Sequence, residues 1–424
     1  MITLGNKQIC EYCLTENGGE PCRFCGFDKA RYQNDWGVLP PGSVLSGKYI
    51  IGKIIGHGGF GITYLAFDIM RGKKIALKEY FPITFAVRDK DGITVTVTNS
   101  GDADIYKNGM EKFYEEASFV AKFSGNPNIV SVFEFFYENN TAYFTMELLQ
   151  GLSLKSYIEK KGCLAPEQAL YIADRISSAL MAAHRVNILH RDISPDNIML
   201  CEDGNIKLID FGAARQVMAD NPKSMSVILK QGFAPLEQYQ RHGKQGPWTD
   251  LYSLGATLYY AVTGSCLDDP MTRLDNDDGL QSNSFEIEPQ LWEVIRRSLE
   301  LKIDDRYSDA IEFRSDLNRI AYDPQEIKIE LPELSPEPMP APVMAGSMPL
   351  SQEPPVQYAA QTQNEPAVPS TKYVAQTSTE PPYTTDQKEK KLSNKALYAI
   401  IFGALGLVVL IEIIVIIFMF GGSN

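Results

Sequence analysis

Apolar and β-branched positions come in three short strings near residue 50, at 49–55, 61–67 and 73–79, with glycines between them. Runs of that length and alternation predict strands. Beyond residue 110 the period lengthens. Residues 111–123 read as a helix, and within 169–184 the positions Ala169, Ile172, Ala173, Ile176, Leu180 and Ala183 fall on one helical face. Short strands are expected at 143–146 and 206–209, and a hydrophobic helix at 251–262. Strands first and helices after predict an α+β fold of two sub-lobes over residues 47–322. Between the third strand and the first helix, residues 80–108 form an insert. Phe81-Pro82 and the alternating run 94–98 predict a small hairpin packed on the first lobe, serving either regulation or local packing.

The pattern changes twice more. Over 323–390 large apolar residues thin out, and 13 of the chain's 25 prolines gather among Gln, Thr, Ser, Glu and Ala. Such a stretch cannot bury enough surface to offset its ordering entropy, so a disordered spacer is expected. Residues 397–420 are apolar except for Glu412. At 1.5 Å per residue, about 24 residues reach across roughly 30 Å of hydrocarbon. Lys388, Lys390, Lys391 and Lys395 precede this span and no basic side chain follows it. The positive-inside bias then puts the N-terminal side in the cytoplasm and the C-terminus outside. The expectation is a single-pass tail anchor in the cell membrane with no extracellular sensor domain. Glu412 reads either as a tolerated single carboxyl or as a helix–helix contact, and the second reading makes a homodimer.

Composition narrows the classes. The chain has 424 residues, 44% hydrophobic and 22% charged, which is globular usage with room for two or three domains. Its 53 acidic against 40 basic side chains give a net charge of -13 with no basic stripe, which argues against nucleic acid as a partner. No secretory signal pattern opens the chain. Seven cysteines are too few for a disulfide scaffold of this size. Four of them, Cys10, Cys13, Cys22 and Cys25, form two C-x-x-C pairs within residues 1–28. Two such pairs make a closed site of four thiolates, the geometry of structural Zn2+; redox dithiols or a disulfide pair are the alternative. A segment this short buries no real core, so metal binding would supply its folding energy. It resembles a zinc ribbon. Cys163, Cys201 and Cys266 have no metal spacing and are expected in small apolar sites.

Chemistry concentrates in a few motifs. After Ile55, the run Gly56-His57-Gly58-Gly59-Phe60-Gly61 lies between the first two strands. Glycines let backbone N–H groups approach nucleotide phosphates with no Cβ in the way. A dinucleotide-binding fold needs a helix directly after the loop, whereas 62–67 reads as a strand. A glycine lid over ATP fits better. Lys78 ends the third strand, where it can reach the α- and β-phosphates, and its ammonium needs an acidic partner. Glu116 is the best candidate, with Glu115, about 100° round the helix, as the alternative.

His190-Arg191-Asp192 and Asn197 follow the long helix, and Asp210-Phe211-Gly212 follows the strand at 206–209. With these motifs in order, residues 47–320 strongly resemble the protein-kinase family and look most like the bacterial membrane-anchored serine/threonine kinases. The resemblance implies a bilobal kinase fold, ATP and Mg2+ as cofactors, and protein substrates. By it, Asp192 accepts or orients the substrate hydroxyl proton, Asn197 and Asp210 hold Mg2+, and Lys78 and Glu116 form the ion pair that positions ATP. It also implies that backbone near Glu147 and Leu149 bonds adenine, and that Thr63 lies above the base where the family prefers Val. Glu237 is expected to pair with Arg306, and Asp250 and His190 to brace the catalytic loop.

Two positions depart from the family pattern. The lysine usually found two residues after the catalytic Asp is Ser194, and the threonine usually found near the substrate is Lys230. A reciprocal swap is expected, with Lys230 reaching toward Asp192 and the transferred phosphate while Ser194 supplies the hydroxyl. A cation can neutralise phosphoryl charge from either loop; an idle lysine or lost activity is the alternative. Arg191 is placed to receive a phosphorylated Ser224 or Ser226. The expected protein is a serine/threonine kinase phosphorylating protein hydroxyls at the cytoplasmic face of the membrane. Its rival is a weak or inactive kinase-fold scaffold that docks partners. Lys78, Asp192, Asn197 and Asp210 standing together favour catalysis, since a scaffold need not keep the whole set.

Overall fold

Alternation at the start of the chain builds antiparallel sheets. In the computed structural model a hairpin of β1 (Ile2–Leu4) and β2 (Lys7–Ile9) leads into the cysteine segment. A six-stranded sheet follows, in the order β3-β4-β5-β6-β10-β9. Its strands are β3 (Val44–Leu45), β4 (Tyr49–Gly58), β5 (Gly61–Asp68), β6 (Lys73–Tyr80), β9 (Val132–Glu138) and β10 (Thr141–Met146). The three strings expected at 49–55, 61–67 and 73–79 are β4, β5 and β6. The described residues are 1–332, apart from 6, 18, 36, 212–229, 241–242, 276–279, 281–286, 321–322 and 324–326. Gly212, Ser224, Ser226, nearly all of the expected spacer and the whole span 397–420 with Glu412 lie outside them. Among the described residues no helix is long and apolar enough to cross a membrane.

The insert is the expected hairpin, β7 (Ala86–Arg88) paired with β8 (Val95–Val97), and Phe81, Phe85, Ala86 and Val95 join the main core. It is pinned by a pair that the sequence does not advertise. Arg88 Nη2 lies 2.6 Å from Glu79 Oε2 with both side chains wholly buried. The hydroxyls of Tyr64 and Tyr143 also donate to the Glu79 carboxylate, at 2.9 and 2.8 Å. Helix α1 (Ala103–Val120) starts earlier than the expected residue 111 and passes into a short 3-10 turn at Ala121–Phe123. Its first turns expose Asp104, Lys107 and Asn108, which hides the apolar period, while Tyr106, Phe113, Ala117 and Val120 are buried.

The second lobe is mostly helical. A three-stranded sheet, β11 (Gly151–Ser153), β12 (Ile198–Cys201) and β13 (Ile206–Leu208), faces the first lobe. Around it stand α2 (Leu154–Lys161), α3 (Pro166–His184), α4 (Leu236–Tyr239), α5 (Pro247–Thr263), α6 (Pro270–Asp275), α7 (Pro289–Ser298) and α8 (Ala310–Leu317). All six residues expected on one face of α3 are buried. Helix α5 is buried nearly all round, so its sequence is hydrophobic rather than amphipathic. Arg306 Nη1 lies 2.8 Å from Glu237 Oε1, a buried pair as expected. Of the three scattered cysteines only Cys201 occupies a buried site. Cys163 and Cys266 are exposed, because each falls in the turn just past a helix end.

Candidate active site

The lid, strand β6, helix α1, the segment after β10 and the loop before β12 converge on one cleft. It encloses a cavity of about 840 Å³. Ile55, Gly56, His57, Gly58, Gly59, Phe60, Gly61 and Thr63 line its upper side, and Glu147 and Leu149 its back. Asp192, Asn197 and Asp210 line the floor, with Lys230 at the mouth. The lid turns tightly, Gly58 pairing with Gly61. Gly61 must be glycine, since a Cβ there would collide with the Glu79 carbonyl.

Lys78 reaches the cleft, and its ammonium lies 2.7 Å from Asp210 Oδ1. Glu116, the expected partner of that ammonium, is the buried member of its pair on α1 and lines the same cavity, whereas Glu115 is exposed and bonded to Lys112 at 2.5 Å.

The loop carrying Asp192 is held from beneath by Asp250 at the start of α5. This fully buried carboxylate accepts the N–H groups of His190 (2.9 Å) and Arg191 (2.7 Å) and contacts His184 Nε2 at 2.8 Å. Burial alone would push the Asp250 carboxyl up, but the bonds from His184 and the Arg191 N–H hold it below the usual carboxylate value. The clamp holds a strained backbone. Arg191 and Asp210 have φ of 65° and 59°, left-handed conformations that cost a non-glycine residue about 1–3 kcal/mol each. Burial pushes the His190 imidazole pKa down, so the ring is neutral at pH 7. Its Nε2–H then donates to the Ile209 carbonyl at 3.0 Å, and Nδ1 accepts the Asp192 N–H at 3.3 Å. The ring also packs on Phe211, with centroids 4.5 Å apart.

Asn197 Nδ2 donates to the Asp192 carbonyl (2.7 Å) and to its Oδ2 (2.5 Å). That orientation leaves the amide oxygen as the Asn197 atom able to meet a cation. With the Asp210 carboxylate it gives hard oxygen donors, which fit Mg2+. At the back of the cleft, Glu147 Oε1 accepts from the Ser131 N–H and from Lys207 Nζ, both at 2.7 Å. Its side chain is therefore engaged by the protein, and its N–H donates to the Ser131 carbonyl at 3.0 Å.

At the mouth, the two departures from the family pattern meet. Lys230 Nζ donates to Ser194 Oγ at 2.7 Å and lies 3.3 Å from Asp196 Oδ2. Lys155 Nζ approaches the same carboxylate at 3.4 Å. Sequence reading passed over Asp196, Lys155 and Lys207. Asp196 could have been found, since it stands inside the His190–Asn197 motif, but nothing local marks the two lysines. Arg191 Nε is buried and has no partner among the described residues.

The four cysteine sulfurs of the N-terminal segment all lie within 4.8 Å of one another, and none is in a disulfide. Cys10 and Cys25, and Cys13 and Cys22, are 3.8 Å apart. A tetrahedron with 2.3 Å zinc–sulfur bonds has edges of roughly 3.8 Å, so the arrangement fits the ion.

A protein-kinase domain family model matches residues 49–311. The serine/threonine-protein kinase PknL of Mycobacterium tuberculosis is 29% identical over 287 residues, covering 66% of this chain and 67% of PknL. The serine/threonine-protein kinase PrkC of Bacillus subtilis is 32% identical over 223 residues, 53% of this chain and 31% of its own length. A solved structure, the PpkA-294 apo form, superposes with a TM-score of 0.59 at 34% identity, covering 66% of this chain and 99% of that one.

Proposed function

The chain belongs to the serine/threonine protein-kinase family, and from that premise we propose that it transfers the γ-phosphoryl group of Mg-ATP to protein hydroxyls at the cytoplasmic face of a membrane. The observation that carries the reading is one cleft lined by the glycine lid, Lys78, Asp192, Asn197 and Asp210 together. Phosphoryl transfer asks for positioning and charge neutralisation rather than covalent chemistry, and this set supplies both. Lys78 binds the α- and β-phosphates. Asp192, oriented by Asn197, receives the substrate hydroxyl proton. Asn197 and Asp210 hold Mg2+, which neutralises charge on the β- and γ-phosphates. Lys230, fixed by Ser194, takes the place of the usual catalytic-loop lysine at the transferred group. Backbone of Glu147 and Leu149 bonds adenine, and Arg191 receives a phosphate on Ser224 or Ser226. The four cysteines hold a structural Zn2+, and residues 397–420 anchor the chain with its C-terminus outside.

Radiolabel transfer to a generic protein substrate tests this. Asp192→Asn should lower transfer by about 10²–10⁴-fold, the usual worth of a positioned base, with Mg-ATP binding retained. Equal background transfer by both forms would instead support a non-catalytic scaffold. For the anchor, the full chain should sediment with membranes and a chain ended at residue 390 should not.

A further inference from the structure

The first cysteine knuckle, Cys10-Glu11-Tyr12-Cys13, touches the strand that bears the glycine lid. The pairing of β4 with β5 slips between Ile51 and Ile54 and again between Ile54 and Gly56. A bulge frees backbone donors from the ladder, and each then needs another acceptor. Within this slip the Lys53 N–H donates to the Tyr12 carbonyl at 2.8 Å. The next knuckle residue is held as well. Lys74 on β6, four residues before Lys78, donates from Nζ to the Cys13 carbonyl (2.9 Å) and to Thr15 Oγ1 (2.8 Å).

Close approach makes the contact specific. A Cβ on Gly52 would stand 2.7 Å from the Tyr12 oxygen and 2.9 Å from Leu14 Cδ1, so only glycine lets the knuckle lie flat on β4. Leu14, buried, packs with Ile50 and Leu65, and Leu148 at the back of the nucleotide cleft packs against the same cluster. The knuckle is thus tied to the lid strand, to the Lys78 strand and to the adenine end of the cleft.

We propose that metal occupancy of the four-cysteine site sets the nucleotide affinity of the kinase cleft. The inference rests on the zinc and kinase readings above. A bound ion fixes residues 10–13 in one conformation and so presents the Tyr12 and Cys13 carbonyls to β4 and β6. Loss of the ion frees the knuckle, the slipped strand loses its outside acceptor, and nucleotide must then order the lid itself. Site-to-site couplings commonly span about 5–150-fold in affinity. Three hydrogen bonds and one small apolar contact place this one near the bottom of that range, at roughly fivefold to tenfold.

The test uses the full chain, its zinc content measured directly. A non-hydrolysable Mg-ATP analogue is titrated by calorimetry with zinc bound, after the metal is stripped and the chelator removed, and after zinc is returned. The Kd should weaken by roughly fivefold to tenfold on stripping and recover on reloading. Gly52→Ala, which pushes the knuckle off β4, should keep its zinc yet bind the analogue as weakly as the stripped wild type. Lys74→Met should keep its zinc and respond less to stripping. The Gly52→Ala arm reads the coupling with metal in place, so unfolding of the stripped segment cannot imitate it. Zinc that leaves with no change in Kd refutes the coupling and spares the zinc reading. A chain that never binds zinc refutes both, and a zinc-loaded chain that ignores nucleotide refutes the kinase reading.

Discussion

Exchanging Lys230 and Ser194 tests whether an ammonium is needed at the transferred phosphate regardless of which loop supplies it. Lys230 Nζ is held 2.7 Å from Ser194 Oγ and 3.3 Å from Asp196, in the same cavity as Asp192 and Asp210. At 4 Å from a phosphate oxygen and an effective dielectric near 20, one ammonium is worth at most about 4 kcal/mol. Mutational losses of a single charge-stabilising donor run to about 10²–10³-fold in kcat. Lys230→Met should therefore lower kcat by about 10²–10³-fold. Its KM for ATP should stay within about twofold, because the lid and Lys78 are untouched. Ser194→Ala keeps the cation and removes one hydrogen bond, worth about 1 kcal/mol, so a loss of roughly fivefold is expected.

The double variant decides the matter. Ser194→Lys alone sets two ammoniums side by side over one Asp196 carboxylate, and should lower kcat as well. Combining Ser194→Lys with Lys230→Thr moves the charge to the other loop and the hydroxyl to its place. Steady-state kinetics on one substrate should then show kcat within about tenfold of the wild type, far above either single variant. That non-additivity is the signature of two residues acting as one contact. Full turnover in Lys230→Met, or a double variant no better than the product of its singles, would refute the reciprocal arrangement.

Removing one partner from a buried ion pair leaves an uncompensated charge, so Arg306→Met beside Glu237 should destabilise the second lobe by about 3–5 kcal/mol in chemical denaturation. Acid should loosen the catalytic loop through His190. Its folded pKa lies below the unfolded value of 6.5, so its contribution to stability is fully present above pH 6.5 and is lost as pH falls from there toward the folded value. The slope from this one group is at most about 1.4 kcal/mol per pH unit. Denaturation midpoints between pH 7.5 and 5.5 should reveal it, and His190→Phe should flatten the curve; an unaltered slope would rule out this origin.

Helix α3 was legible because it buries one face, and a buried face writes its period into the sequence; the first strands were legible instead as short β-branched strings set between glycines, since β5 is buried at nearly every position. The cleft was legible for another reason: the lid, Lys78, His190–Asn197 and Asp210 stand at spacings that few other chemistries need. The onset of α1 was not, since its first two turns face water on most sides. Nor was the Glu79–Arg88 pair, as two charges nine residues apart look like solvated surface until the insert folds over them. The docked knuckle left one trace in the chain, the isolated Gly52 inside a strand string, where a close backbone approach is the physical reading.

Partnering divides the cleft's charged groups into two kinds. Asp250, Glu237 and Arg306 are buried and bonded inside the protein, so they fix the loops and would be felt first in stability. Lys78, Asp210, Lys230 and Asp196 remain between 15% and 43% exposed in their side chains, and each is paired with a neighbour at the cavity wall. Exposed pairs of this sort contribute only about 0–1 kcal/mol. A triphosphate carrying several charges can displace such partners at little cost, drawing Lys78 from Asp210 and turning the aspartate toward a cation.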